Sequence, residues 1–219
     1  APEIDFTEAT SKLKVVVSDG REGKEAIGYM KAYVNMDVAT LNVGSQPLAN
    51  NAHVKYPDAF GMVSLNDLKT YSVDYAIANE VNAKNVDFKF YCFGASGSPR
   101  LYSMDNTGKD GEFSGSTGKL SAIKVKNLTR FAILSNFDYE NATVASISSE
   151  ILSSSIAQSL LDPIAVGNVI AFRTGGSSAA GGGRIGVMKV INITEPKELV
   201  SNNATARVMT VEIKFPKKK

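Results

Sequence analysis

The chain reads first as a series of short alternating segments. Val15-Val16-Val17 is a brief β-branched run. Met30, Ala32, Val34 and Met36 then share one face, with Tyr29, Lys31, Tyr33 and Asn35 on the other, and Ala39, Leu41 and Val43 continue the alternation as far as Gly44 and Pro47. Period-two patterning predicts half-buried strands. Residues 45–58 hold Gln46-Pro47, Asn50-Asn51 and Tyr56-Pro57-Asp58, which is turn chemistry. That stretch divides an amino-terminal β-rich region, 1–62, from a carboxy-terminal α+β domain, 63–219.

A hairpin is expected next. Tyr71, Val73, Tyr75 and Ile77 share a face with Ser72, Asp74 and Ala76 opposite; after a polar turn at 79–85, Val86, Phe88, Phe90 and Cys92 share a face with Asp87, Lys89 and Tyr91 opposite. Two alternating runs joined by a short connection read as antiparallel neighbours. The pairing makes Cys92 a small buried hydrophobe beside Phe88 and Phe90. Residues 94–118 are polar and glycine-rich, interrupted by a short strand at 100–104, and a further apolar run covers 130–134. The clearest helical stripe is Val144, Ile147, Ile151 and Leu152, which extends to Ile156 and Leu160 unless Ser153-Ser154-Ser155 ends it; Pro163 bars continuation in either case.

Residues 166–172 form a compact apolar strand. Residues 175–183 are five glycines, two serines and two alanines, which predicts a mobile loop dispensable for folding. Two alternating strands follow, one carrying Ile185, Val187, Lys189, Ile191 and Ile193, the other Arg207, Met209, Val211, Ile213 and Phe215. The fold class is α+β and mostly β, with antiparallel or mixed sheets in a sandwich-like arrangement and one or two short helices.

Composition narrows the chemistry. Of 219 residues, 43% are apolar and 21% charged, as in soluble globular chains, and a net charge of +2 gives no single-sign field to recruit nucleic acid. No run approaches the ~18 apolar residues of a membrane span. One histidine and one cysteine exclude a histidine-rich zinc site, a cysteine-rich metal site and an internal disulfide, so neither metal nor cofactor is expected. A nucleophilic triad has only His53 to draw on, in the polar stretch 50–53. The segment from Asp105 to Glu112 has the oxygen-rich look of a calcium turn, but Lys109 sits among the would-be ligands. Gly115-Ser116-Thr117-Gly118-Lys119 looks like part of a phosphate loop, but Phe113 and Leu120 stand where glycine and a hydroxyl are needed. Four Asn-x-Ser/Thr sequons, at Asn127, Asn141, Asn192 and Asn203, are what chance gives in a chain rich in Asn and Thr.

Two sets of residues remain as ligand chemistry. Asp74 and Asp87, on neighbouring expected strands, could pair their carboxylates for glycosidase work, although paired acids on a solvated sheet face are usual and Lys89 is near enough to neutralise one. Tyr71, Tyr75, Tyr91, Tyr102 and Tyr139 could build a sugar-stacking surface.

A resemblance adds to this. Val166-Gly167-Asn168-Val169-Ile170-Ala171-Phe172-Arg173-Thr174, then Gly182-Gly183-Arg184-Ile185-Gly186-Val187-Met188-Lys189-Val190, then Val211-Glu212-Ile213-Lys214 resemble a pattern in secreted lipoproteins of Bacteroidetes. Ser72-Val73-Asp74-Tyr75, Asn85-Val86-Asp87-Phe88 and Leu101-Tyr102-Ser103 are similar to the same family, so the resemblance covers roughly 66–215. It implies an exported protein of the cell surface or periplasm, lipid-anchored through a cysteine upstream of Ala1. The chain opens Ala1-Pro2-Glu3, as expected after removal of a leader or a cut to a mature start. The family brings no catalytic residues. The expected function is non-enzymatic binding of a ligand or surface protein partner, with a glycan taken up as nutrient as the example. A carboxylate-based glycan hydrolase and a structural or adhesive module are the alternatives.

Overall fold

The computed structural model describes residues 10–18, 25–33 and 35–218. Strands β1 (Thr10–Ser18) and β2 (Glu25–Tyr33) pair antiparallel as a sheet of their own. β3 (Met36–Gly44) belongs elsewhere, so the alternation expected to run through 30–43 spans two strands; the face assigned to Val34 lies outside the described residues. The break falls at Asn35, whose φ of 55° is left-handed and incompatible with a continuing strand.

Two short strands follow, β4 (Met62–Ser64) and β5 (Lys69–Tyr71), then two helices, α1 (Val73–Ala78) and α2 (Glu80–Lys84). Beyond them lie β6 (Phe88–Phe93), β7 (Ser98–Ser103), β8 (Arg130–Leu134), α3 (Val144–Glu150) and β9 (Leu160–Leu161). The chain then forms β10 (Val169–Arg173), β11 (Ile185–Ile193) and β12 (Val208–Pro216). One five-stranded antiparallel sheet has the order β3-β12-β11-β10-β8 and the other β5-β4-β6-β7-β9. Because β3 pairs with β12, chain from both sides of the 62/63 division shares one sheet.

The inner faces of the two sheets meet in one core, with Phe88, Phe90, Cys92 and Leu101 against Phe131, Ile170, Phe172, Val211 and Ile213. Each sheet is also covered outside. Ile147 of α3, with Tyr139, Ile151 and Ile156, packs on Ala171 and Val187 of the first sheet. Val73, Ala76, Ala83, Phe113 and Leu120 pack on Met62, Tyr91 and Tyr102 of the second. Both faces of β6 are therefore buried as far as Cys92, a free thiol whose pKa burial pushes up to about 12. β4 reaches only the first residues of β6, and further along Gln46 stands in for a strand: its Nε2 donates to the Cys92 carbonyl at 2.7 Å and its Oε1 accepts from the Cys92 N–H at 2.9 Å.

Residues 73–78 are helical, not the first arm of a hairpin. The Ser72 hydroxyl accepts from the Tyr75 N–H, Asp74 lies in the first turn, and the Asn79 side chain caps α2 by accepting from the Asn82 N–H. Those caps favour helix starts whatever the alternation of the apolar residues between them. The hairpin is instead β6–β7. α3 begins at a capping box of Thr143 and Ser146 and stops at Glu150, leaving Leu152 68% exposed.

The 175–183 loop is docked, against expectation. Ser177 Oγ donates to Asn127 Oδ1 at 2.7 Å, the Ala179 N–H to the Lys84 carbonyl at 2.8 Å, and Ala180 is buried. A side chain at Gly175 would collide with the backbone of Leu128, so this glycine permits a close approach. Asn127 is itself fully buried, its amide bonded to the carbonyls of Lys84 and Val86, which removes its sequon from the surface. Among the described residues no helix is long and apolar enough to cross a membrane.

Candidate functional site

The conspicuous residues of the sequence are placed as follows. Asp74 lies at the start of α1, and its carboxylate accepts the N–H groups of Ser116 and Thr117 at 2.9 Å each, the Thr117 hydroxyl at 2.7 Å and the Asn50 amide at 3.0 Å. The backbone of Thr117, then its hydroxyl and the Ser116 N–H, hold this carboxyl well below the usual carboxylate range. A side chain at Gly115 would collide with Asp74, so the turn resembling a phosphate loop is a glycine turn folded round a carboxylate of the same chain.

Asp87 is fully buried, accepting from the Leu65 N–H at 2.8 Å and touching Asn127 at 3.4 Å; burial raises its pKa to about 6. The two aspartates share no partner, and with residues 73–78 helical the cross-strand placement expected for them is not formed. Asp105 grips Arg130 with both oxygens at 2.8 Å, and Asp110 is ion-paired with buried Lys89 at 2.7 Å, so each acid of the calcium-like segment has a cation of its own. Burial lowers the Lys89 pKa despite that partner.

The tyrosines fall into pairs rather than one platform. Tyr71 and Tyr75 stack with ring centroids 4.0 Å apart, Tyr71 donates to Asp67 at 2.5 Å, and the Tyr75 hydroxyl accepts from Asn85. Tyr91 and Tyr102 meet edge to face at 5.6 Å and are 2% and 4% exposed, which leaves no ring face for a ligand; Tyr91 donates to Glu112. Burial and the acid partner push the Tyr71 and Tyr91 pKa values up. Tyr139 is buried on the other sheet, its hydroxyl donating to the Glu212 carbonyl at 2.8 Å.

An open cleft lies instead at the edge of the first sheet. Phe131 of β8 exchanges two main-chain hydrogen bonds with Gln158, at 2.8 and 3.1 Å. Beyond this bridge the outer edge of β8 has no strand partner among the described residues, and Ile133 is 44% exposed. The cleft there measures about 570 Å³ and is lined by the end of β8, Ser135, Asn136 and Phe137, with Glu150, Ile151, Ser155 and Gln158 across from them. Among the described residues, no hydrogen bond engages the side chains of Asn136, Glu150 or Gln158. An aromatic ring beside unengaged amides and one carboxylate can bind hydroxyl-bearing ligands. Sequence reasoning missed this site; its one signal is Phe137, an aromatic within the polar stretch Ser135-Asn136-Phe137-Asp138.

No protein family matches the chain in sequence, and no curated protein matches it. A solved structure does. A DUF4466 family protein from Parabacteroides merdae shares the fold with a TM-score of 0.53 at 13% identity, over 89% of this chain and 59% of that one. The chain thus spans 59% of that protein's length. At this identity the likeness is one of fold: the β-rich architecture occurs in a Bacteroidetes protein whose family has no known function, which agrees at that level with the resemblance over 66–215.

Proposed function

We propose that the protein is a non-catalytic binding domain of the bacterial cell envelope, and that the cleft at the end of β8 takes a neutral saccharide. The lining carries this reading: Phe137, half-buried against the core under α3, adds apolar surface for a sugar, and Asn136, Gln158 and Glu150 offer uncommitted donors and acceptors for hydroxyls. Glycosidic hydrolysis commonly uses two carboxylates, and among the described residues this lining contains one, Glu150. Export and a lipid anchor upstream of Ala1 rest on the resemblance alone.

The test is a titration with a panel of neutral oligosaccharides, followed through the backbone amide resonances and with an assay for new reducing ends. Saturable shifts at 132–137 and 150–158 without new reducing ends are expected, and Phe137→Ala should abolish them. New reducing ends would favour the hydrolase, and silence across the panel a structural or adhesive module. The unpaired edge at Ile133 favours a second reading, an extended peptide that adds to β8 as a further strand. Ile133→Pro, which removes an edge N–H, should block a peptide.

A further inference from the structure

At the opposite end of β8 the sheet register sets Arg130 directly across from Arg173 of β10. Like charges in that position repel, and each normally needs an anion of its own. Arg130 has one in the two-oxygen grip of Asp105. Arg173 reaches only neutral acceptors, the Ser153 hydroxyl at 3.1 Å and the Ile156 carbonyl at 3.3 Å, and pairs with no carboxylate among the described residues.

Both arginines line a cleft of about 320 Å³ whose other walls are Leu128, Thr174 and the glycines Gly175, Gly176 and Gly183. The N–H groups of Gly175 and Gly176 find no acceptor among the described residues. A side chain at Gly176 or Gly183 would meet nothing within 4 Å, so the main chain is open to the cleft. Gly175 is buried against the Leu128 backbone, and Gly176 beside it is exposed. Backbone N–H groups without acceptors beside a guanidinium are donors that an anion can take. A neighbouring cleft of about 380 Å³, lined by Arg184, Lys217 and Lys218, shares Gly183, and Asp37 stands 3.6 Å from Lys217. Positive charge is thus gathered at this end of a chain whose net charge is only +2.

We propose that Arg173, with the Gly175 and Gly176 amides and the paired Arg130 behind it, binds an oxyanion group of a ligand: a carboxylate, sulfate or phosphate. The flat guanidinium fork fits two oxygens of such a group at once, while the amides take a third position. The site shares no lining residue with the saccharide cleft, and its test does not depend on that reading.

The experiment titrates the protein with inorganic sulfate, inorganic phosphate, acetate and glucuronate at constant ionic strength set with chloride. Backbone amides and arginine Nε–H resonances are the readout. Saturable shifts confined to Gly175, Gly176 and Arg173 are expected; the ranking of sulfate and phosphate against acetate and glucuronate tells which oxyanion the site prefers. Arg173→Gln should weaken the binding about tenfold or more, the loss of one charge-assisted contact. Arg173→Lys should fall between the two, since it keeps the charge and loses the fork. Asp105→Asn frees Arg130 and should tighten binding several-fold. Shifts that never saturate, that lie elsewhere on the surface, or that persist unchanged in Arg173→Gln would overturn the proposal. The location of the shifts in the unaltered protein decides the matter even where a variant fails to fold.

Discussion

On the outer face of the second sheet Lys89 is tied to Asp110, Tyr91 to Glu112 and Asp74 to the 115–118 turn, whereas the cover of the first sheet stops at β8 and leaves Asn136, Glu150 and Gln158 unengaged beside Phe137. The residues that look most like chemistry in the sequence close the second sheet, where their bonding capacity is spent within the protein. The open chemistry lies among ordinary residues at a strand end. On the reading proposed above, a polar group without a partner is the better guide to recognition in this fold.

The contrast can be broken most directly at Lys89. Lys89→Met strands the Asp110 carboxylate in the interior with Lys126 no nearer than 3.8 Å, and losing one member of a buried pair should remove about 3–5 kcal/mol of stability in chemical denaturation. A loss below about 1 kcal/mol would mean that the ion pair does not close this face. Asp87 sharpens the same point through pH. Its carboxyl titrates near 3.8 when unfolded and about 6 when folded, so its contribution to stability is complete below about 3.8 and is lost as the pH rises through 6. Raising this carboxyl from 3.8 to about 6 corresponds to about 3 kcal/mol. The Asp87 carboxyl carbon resonance should move with a midpoint near 6; a midpoint below 4 would contradict the burial.

Gln46→Leu tests the edge of the sealed sheet. It leaves the Cys92 N–H and carbonyl without their partner and should cost about 2 kcal/mol, the lower end for two orphaned groups. It should also speed thiol labelling at Cys92, which is expected to be slow in the unaltered protein. On the open side the expected effects are smallest. Asn136→Ala and Gln158→Ala should change stability by no more than about 0.5 kcal/mol while weakening saccharide binding. A larger loss of stability would make the cleft part of the structural frame.

Much of the fold was legible where one physical pattern acted alone. The strands β10 to β12 carry apolar runs or alternations ended by glycine or proline, and they stand where the sequence places them. Residues 71–78 misled because six helical residues are too few to show their period, and Tyr71, Val73, Tyr75 and Ile77 also alternate. The deciding signals were Ser72 and Asn79, each accepting from an N–H three residues on. The polar face expected on β6 misled for another reason: Asp87 and Lys89 are buried by partners remote in the chain, Leu65 and Asn127 for one and Asp110 for the other. The glycine-rich stretch 175–183 reads as slack, yet its small residues let it dock on Asn127 and Leu128. Neither cleft could be read from the sequence, since each depends on which atoms near β8 lack partners.

The pairing of β3 with β12 constrains the order in which the molecule can be made. Met36 meets Pro216 and Gly44 meets Val208, so β3 emerges from the ribosome long before the strand that will cover its edge. β11 likewise awaits β12 on one side. Pairings between such distant segments are slow to form, and the uncompleted edge of β3, with Leu41 and Val43 waiting to be buried, is exposed meanwhile to wrong partners. The first sheet can be completed only once β12 has been synthesised, so a chain stalled before Val208 would be a substrate for chaperones rather than a smaller folded domain.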